Sequence, residues 1–142
     1  MKAPTICTCI GDMPYAACCR AIEEGSLAEL RLDLSAYSDE EVRSLLARPM
    51  KWIVTCRPQE GSSEDERFAR LERAITWGAA YVDIELEADP HRRAALIESA
   101  KRTSCRVIVS HHDFEAMPPL DELSRISEHC FAVFSSSRYC WF

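Results

Sequence analysis

The sequence predicts an α/β protein built on a parallel sheet, and three observations carry that prediction. Short β-rich runs recur at residues 5–10, 27–32, 52–56, 81–86 and 106–110. Their centres lie roughly two dozen residues apart, the period of a compact βα unit. The stretches between them carry helix start and stop residues of their own.

Taken in order, Asp12 and Pro14 open a first helix and Gly25 closes it. After the second strand, Ser38 and Glu41 make a capping box, with Val42, Leu45 and Leu46 as the apolar stripe. Ser63 and Glu66 repeat the device ahead of Phe68, Leu71 and Ile75, and Gly78 ends that helix. Asp89 and Pro90 suit an N-cap and first helical position before Leu96, Ile97 and Ala100. Repeated βα units imply a parallel sheet with right-handed crossovers.

Two strands say more about function. Glu29, Arg31 and Asp33 alternate with Leu30, Leu32 and Leu34, and Asp83, Glu85 and Glu87 alternate with Val82, Ile84 and Leu86. Period two sends each charged set to one face. A parallel strand covered on both faces is normally apolar throughout. Charges on one face therefore point to the polar mouth of a barrel, where strand ends aim ionic groups at a ligand. The alternative is an antiparallel sheet with one wet face, which the helical spacers argue against.

The chain has 142 residues, which fits a single domain, and 47% are hydrophobic, enough for a core. A net charge of -6 disfavours nucleic acid and anionic membranes as partners. No apolar run approaches the roughly 20 residues of a membrane span. The start Met1-Lys2-Ala3-Pro4 lacks a signal peptide's apolar core, so the cytoplasm is the expected location. Eight cysteines are then expected as reduced thiols, mostly buried as small hydrophobes. Cys7-x-Cys9 and Cys18-Cys19 do not have the paired spacing of zinc knuckles.

Three segments at strand ends hold the candidate chemistry: the charged end of the second strand, Cys56 to Gly61, and Ser110 to Phe114. All would lie at the C-terminal rim of a parallel sheet, where α/β proteins place their sites. Arg57 alone reads as a surface ion pair, and His112 alone as a hydrogen-bonded core group. Together they gain weight, because a histidine near a carboxylate can act as a general base. His111, His112, Asp113 and the acidic fourth strand leave a metal-dependent hydrolase open. Adjacent residues in extended chain point opposite ways, which counts against a shared ion at His111 and His112.

The motifs Glu29-Leu30-Arg31-Leu32-Asp33, Thr55-Cys56-Arg57-Pro58-Gln59-Glu60-Gly61, Val82-Asp83-Ile84-Glu85-Leu86 and Ser110-His111-His112-Asp113-Phe114-Glu115 occur in this order, followed by Pro118-Pro119. The set resembles the successive signatures of the type I 3-dehydroquinate dehydratases, from about Thr5 to Ile126. The resemblance implies a (β/α)8 TIM barrel, of which this chain covers the first five to six βα units. It implies dehydration of 3-dehydroquinate to 3-dehydroshikimate in the shikimate pathway, without metal or organic cofactor. A lysine forms an imine with the ketone, and a histidine takes the acidified proton and helps water leave. By motif, His112 corresponds to that histidine and Glu60 to the carboxylate that orients it. Glu29, Arg31 and Arg57 correspond to groups that bind the substrate's hydroxyls and neighbouring polar atoms.

The departures are specific. The loop after Arg57 is one residue shorter than in many relatives, Ser62 stands where a second glycine is common, and His111 replaces an aromatic residue. The lysines are Lys2, Lys51 and Lys101, none at the C-terminal end of a strand. The imine lysine is expected near Arg138 and Tyr139, and arginine cannot replace it. The family's later substrate-binding arginine and serine-glutamine loop are absent too. From 127 to 142 the sequence turns rich in serine, aromatic residues and cysteine. The expectation is one partial barrel over 1–142 with an atypical tail from a shifted frame or truncated gene, a true shortened variant being the alternative. Such a chain is expected to self-associate and to turn over little of its small-molecule substrate. A non-catalytic ligand-binding or association module is the alternative function.

Overall fold

The computed structural model describes residues 5–22 and 25–134. Five strands alternate with five helices: β1 Thr8–Ile10, α1 Tyr15–Ala21, β2 Leu27–Arg31, α2 Asp39–Leu46, β3 Lys51–Thr55, α3 Glu64–Thr76, β4 Tyr81–Glu85, α4 Pro90–Lys101, β5 Arg106–Ser110 and α5 Leu120–Phe134. The strands form one sheet in chain order, and all four pairings are parallel. The antiparallel alternative is thereby excluded.

Strand alternation divides the sheet into two faces. Ile10, Ala28, Leu30, Trp52, Val54, Val82, Ile84 and Val107 are buried in one cluster with Leu45, Leu71, Ile75 and Leu96 of the helices. Burial of these side chains, about 1.5–3 kcal/mol apiece, holds each βα unit to the next. The other face carries Cys9, Glu29 and Ile53 in one register row and Thr55, Asp83 and Ile108 in another. It opens into a concavity of about 890 Å³, to whose lining α5 contributes Leu123, Ile126, Ser127 and Cys130.

The helix starts follow the sequence where a side chain can reach the backbone. Ser38 and Glu41 form a complete capping box. Ser63 accepts from the Glu66 N–H, and Asp89 accepts from that of Arg92. Gly78, at φ 98°, ends α3 in a conformation that L side chains rarely adopt.

Other boundaries differ from expectation. β1 is three residues long rather than six. Asp12 does not cap α1: it sits at φ 47°, its N–H bonded to the Leu34 carbonyl, and Pro14 takes the N-cap position. α1 stops at Ala21, short of Gly25. Cys7 and Cys9 are exposed rather than buried, because they lie towards the inner face at the β1 edge; Cys18, Cys56, Cys105 and Cys130 are buried. The compositional change after Ile126 does not interrupt α5, which runs on to Phe134. The position expected for the imine lysine, near Arg138 and Tyr139, lies outside the described residues.

Candidate active site

The chemistry-bearing side chains gather at the C-terminal ends of β2 to β5. Arg57, in the loop after β3, is their hub. Its Nη1 donates to Asp83 Oδ1 at 3.2 Å, Glu85 Oε1 at 2.8 Å and Ser110 Oγ at 2.8 Å, and its Nη2 donates to Asp83 Oδ2 at 3.1 Å. Ser110 Oγ donates in turn to Asp83 at 2.6 Å. One guanidinium thus ties the ends of three adjacent strands together, the planar geometry that suits arginine to carboxylates.

Glu85 spends its other oxygen on Arg67, which donates to it at 2.9 Å and to the Cys56 carbonyl at 3.0 Å. The Arg67 side chain is 3% exposed and also holds Glu64 through both carboxylate oxygens, at 2.7 and 2.8 Å. Arg67 therefore anchors the start of α3 to the base of the loop that carries Arg57.

On the β2 side, Arg31 makes a two-point pair with Asp33 at 3.0 and 2.6 Å. Gln59 also donates to Asp33, at 3.3 Å. Glu29 accepts from the Thr55 hydroxyl at 2.8 Å across the β2–β3 pair. The cluster holds four carboxylates, Glu29, Asp33, Asp83 and Glu85, against three guanidiniums, Arg31, Arg57 and Arg67. That balance suits hydroxyl-bearing ligands better than a second anion.

Burial pushes the Asp83 carboxyl above its ordinary value, although Ser110 and Arg57 pull the other way. For Asp33 burial also acts upward, but the Arg31 hydrogen bond and the Arg57 backbone N–H outweigh it and hold the carboxyl low. The difference follows from the partners, since Asp83 shares its arginine with Glu85.

Glu29, Arg57 and His112 all line the large concavity. His112 is exposed after β5, its ring stacked on Phe114 at 5.8 Å and 3°. Arg31 is not among the lining residues and is engaged with Asp33. Glu60 is exposed on the turn with Gly61, and no hydrogen bond or ion pair joins it to His112 among the described residues. His111 is paired with Glu87 instead. Among the described residues no three His, Cys, Asp or Glu side chains gather as metal ligands would, and Asp83 and Glu85 are engaged by arginines. The metal-hydrolase reading therefore has no ligand set here.

Sequence reasoning did not foresee Arg67, nor Asp83, Glu85 and Ser110 as partners of Arg57. The alternation in β4 had marked Asp83 and Glu85 as facing one way. Nothing local marked Arg67, which lies beside Phe68 on the buried stripe of α3.

A parallel βα sheet with ionic groups massed at its C-terminal rim defines an α/β protein of the barrel-enzyme kind. Comparison with known proteins gives the family. Residues 6–133 match the family model of the type I 3-dehydroquinases, and the chain belongs to that family. It is 36% identical to the 3-dehydroquinate dehydratase of Dehalococcoides mccartyi strain 195 over 131 residues, 89% of this chain and 57% of that protein. It is 34% identical to that of Methanococcoides burtonii, over 90% of this chain and 60% of that protein. The crystal structure of the Aquifex aeolicus enzyme superposes with a TM-score of 0.77 at 23% identity, covering 92% of this chain and 63% of that one. The Enterococcus faecalis enzyme gives 0.73 at 25% identity, covering 92% and 62%. The chain thus spans about three-fifths of the length of these relatives.

Proposed function

We propose that these 142 residues carry the hydroxyl-recognition and proton-transfer side of a 3-dehydroquinate dehydratase site. Glu29, Arg31 and Arg57 take the substrate's hydroxyls and neighbouring polar atoms, His112 is the base, and Glu60 is the carboxylate that orients it. The observation that carries this reading is the placement of Glu29, Arg57 and His112 around one concavity in a chain of this family. The reaction is an elimination: a proton leaves carbon beside the ketone, and hydroxide leaves the next carbon as water. An imine on the ketone would act as the electron sink that acidifies the carbon.

Lys2 lies outside the described residues, and Lys101 ends α4. Lys51 is at the opposite end of the sheet, at the start of β3. Among the described residues the site therefore has a base at its rim, while Lys51 meets the same concavity only from the far end of the sheet. We place it in a reducing compartment such as the cytoplasm, which suits its free thiols. No helix among the described residues is long and apolar enough to cross a membrane.

A second reading, a non-catalytic association module, is favoured by the apolar side chains left in solvent after β5. Phe114 is 93% exposed and Met117 85%.

The test is to add 3-dehydroquinate to the purified chain and follow the ultraviolet absorbance of the conjugated enone. Borohydride trapping read by mass spectrometry reports any imine. We expect no turnover and no trapped adduct. Turnover that His112→Ala abolishes would show that the site works without the expected lysine.

A further inference from the structure

Cys7 and Cys9 are the two exposed cysteines among the described residues. Positions two apart in extended chain share a face. Cys9 stands in register with Glu29, and Cys7 lines the same concavity as Glu29. Both thiols therefore stand on the open inner face, next to one carboxylate.

Two residues apart in a strand, the Cα atoms are separated by roughly 6.7 Å. That is the far end of the disulfide range, so a direct bridge is disfavoured. An ion between the sulfurs spans a wider gap, because two metal–sulfur bonds stand where a disulfide has one sulfur–sulfur bond. Zinc is poorly served, because it takes four ligands and no group of three His, Cys, Asp or Glu gathers among the described residues. Two sulfurs alone suit a soft ion of low coordination number, and thiolates select Cu(I).

We infer that Cys7 and Cys9 form a two-thiolate site for a soft monovalent cation of the Cu(I) type on the inner face beside β1. Binding replaces two S–H protons with two S–Cu bonds, and both protons go to solvent. Copper enters and stays as Cu(I), so no electron is transferred.

The experiment is an anaerobic titration of the whole chain with Cu(I) against a chromophoric Cu(I) chelator, with Zn(II) in parallel. One Cu(I) per chain is expected to be retained, with a thiolate-to-copper charge-transfer band in the ultraviolet and two protons released. Zinc is expected to be lost to a chelator of moderate strength. Cys7→Ser and Cys9→Ser should each lose the bound equivalent, while the Cys18→Ser/Cys19→Ser double variant keeps it. Circular dichroism identifies any variant that misfolds, and alanine at the same positions then gives the second reading of the loss. Wild-type chain that holds no Cu(I), folded single variants that keep it, or zinc held equally well would each overturn the assignment. The readout is metal content, so it stands or falls independently of the dehydratase reading.

Discussion

At the scale of single residues, the site depends on a guanidinium that never touches the concavity. Arg67 is buried against Phe68, with its ring face 4.8 Å from the guanidinium carbon. Its loss leaves Glu85 with one partner and the Cys56 carbonyl with none from that side. Breaking a buried pair in this way costs on the order of 3 kcal/mol. Arg67→Met should show that loss in denaturant unfolding, and Arg67→Lys should recover part of it. An Arg67→Met chain as stable as wild type would mean that solvent replaces these bonds.

Two aspartates give opposite pH signatures. The Asp33 carboxyl lies below its ordinary value of 3.8, so its stabilisation is present above that pH and is lost as pH falls through the lower folded value. The Asp83 carboxyl lies above 3.8, so the folded state holds its proton longer, and stability declines as pH rises through that window. Melting followed against pH should therefore show the wild-type advantage over Asp33→Asn shrinking on acidification. Asp83→Asn should remove the decline on the alkaline side of pH 3.8. These partnerships were only half legible in the sequence. Alternation placed Asp83 and Glu85 on one face, but their arginine is 26 residues from Asp83 and 28 from Glu85. Pairing at that range is decided by the register of separate strands, which periodicity does not encode.

At the scale of elements, legibility tracks how local the determinant is. The starts of α2, α3 and α4 could be read because a serine or aspartate reaches an N–H three residues on. Asp12 has the same chemistry but lies in the left-handed region and is fixed by Leu34, a partner 22 residues away. The change of composition after Ile126 is not a helix stop, and no glycine or proline occurs between Leu120 and Phe134, so α5 runs through it. Glu60 was placed by motif, and loop length, not strand register, decides where a turn residue points. The caps themselves make a graded prediction. At Ser38 the Glu41 carboxylate returns to the backbone N–H at 2.8 Å, whereas Glu66 pairs with Arg73 at 2.7 Å and does not return to Ser63. Ser38→Ala should cost about 1 kcal/mol and Ser63→Ala roughly 0.5 kcal/mol in chemical unfolding. Equal losses would mean that the reciprocal bond adds nothing.

At the scale of the whole molecule, a sheet built in chain order has two ends, and among the described residues β1 and β5 each pair on one side only. The helices bury one face except at Val109 near its β5 edge, while the inner face keeps Ile53 and Ile108 half-buried. Beyond β5 the apolar surface continues through Phe114, Met117 and Leu120, the last 80% exposed. Unpaired strand edges and contiguous apolar patches favour association. A net charge of -6 opposes it only weakly once salt screens charges beyond about 8 Å at physiological ionic strength. We therefore expect the purified chain to sediment as larger species as its concentration rises. Met117→Glu/Leu120→Glu should shift that distribution toward monomer, because carboxylates placed in the patch must be desolvated or paired before two copies can close over it. The melting temperature of the variant should stay near that of wild type at low concentration, since neither side chain belongs to the buried core. A wild-type chain that stays monomeric at every concentration and melts cooperatively would show that the open face is stable in water, and association would then have no part in how this protein works.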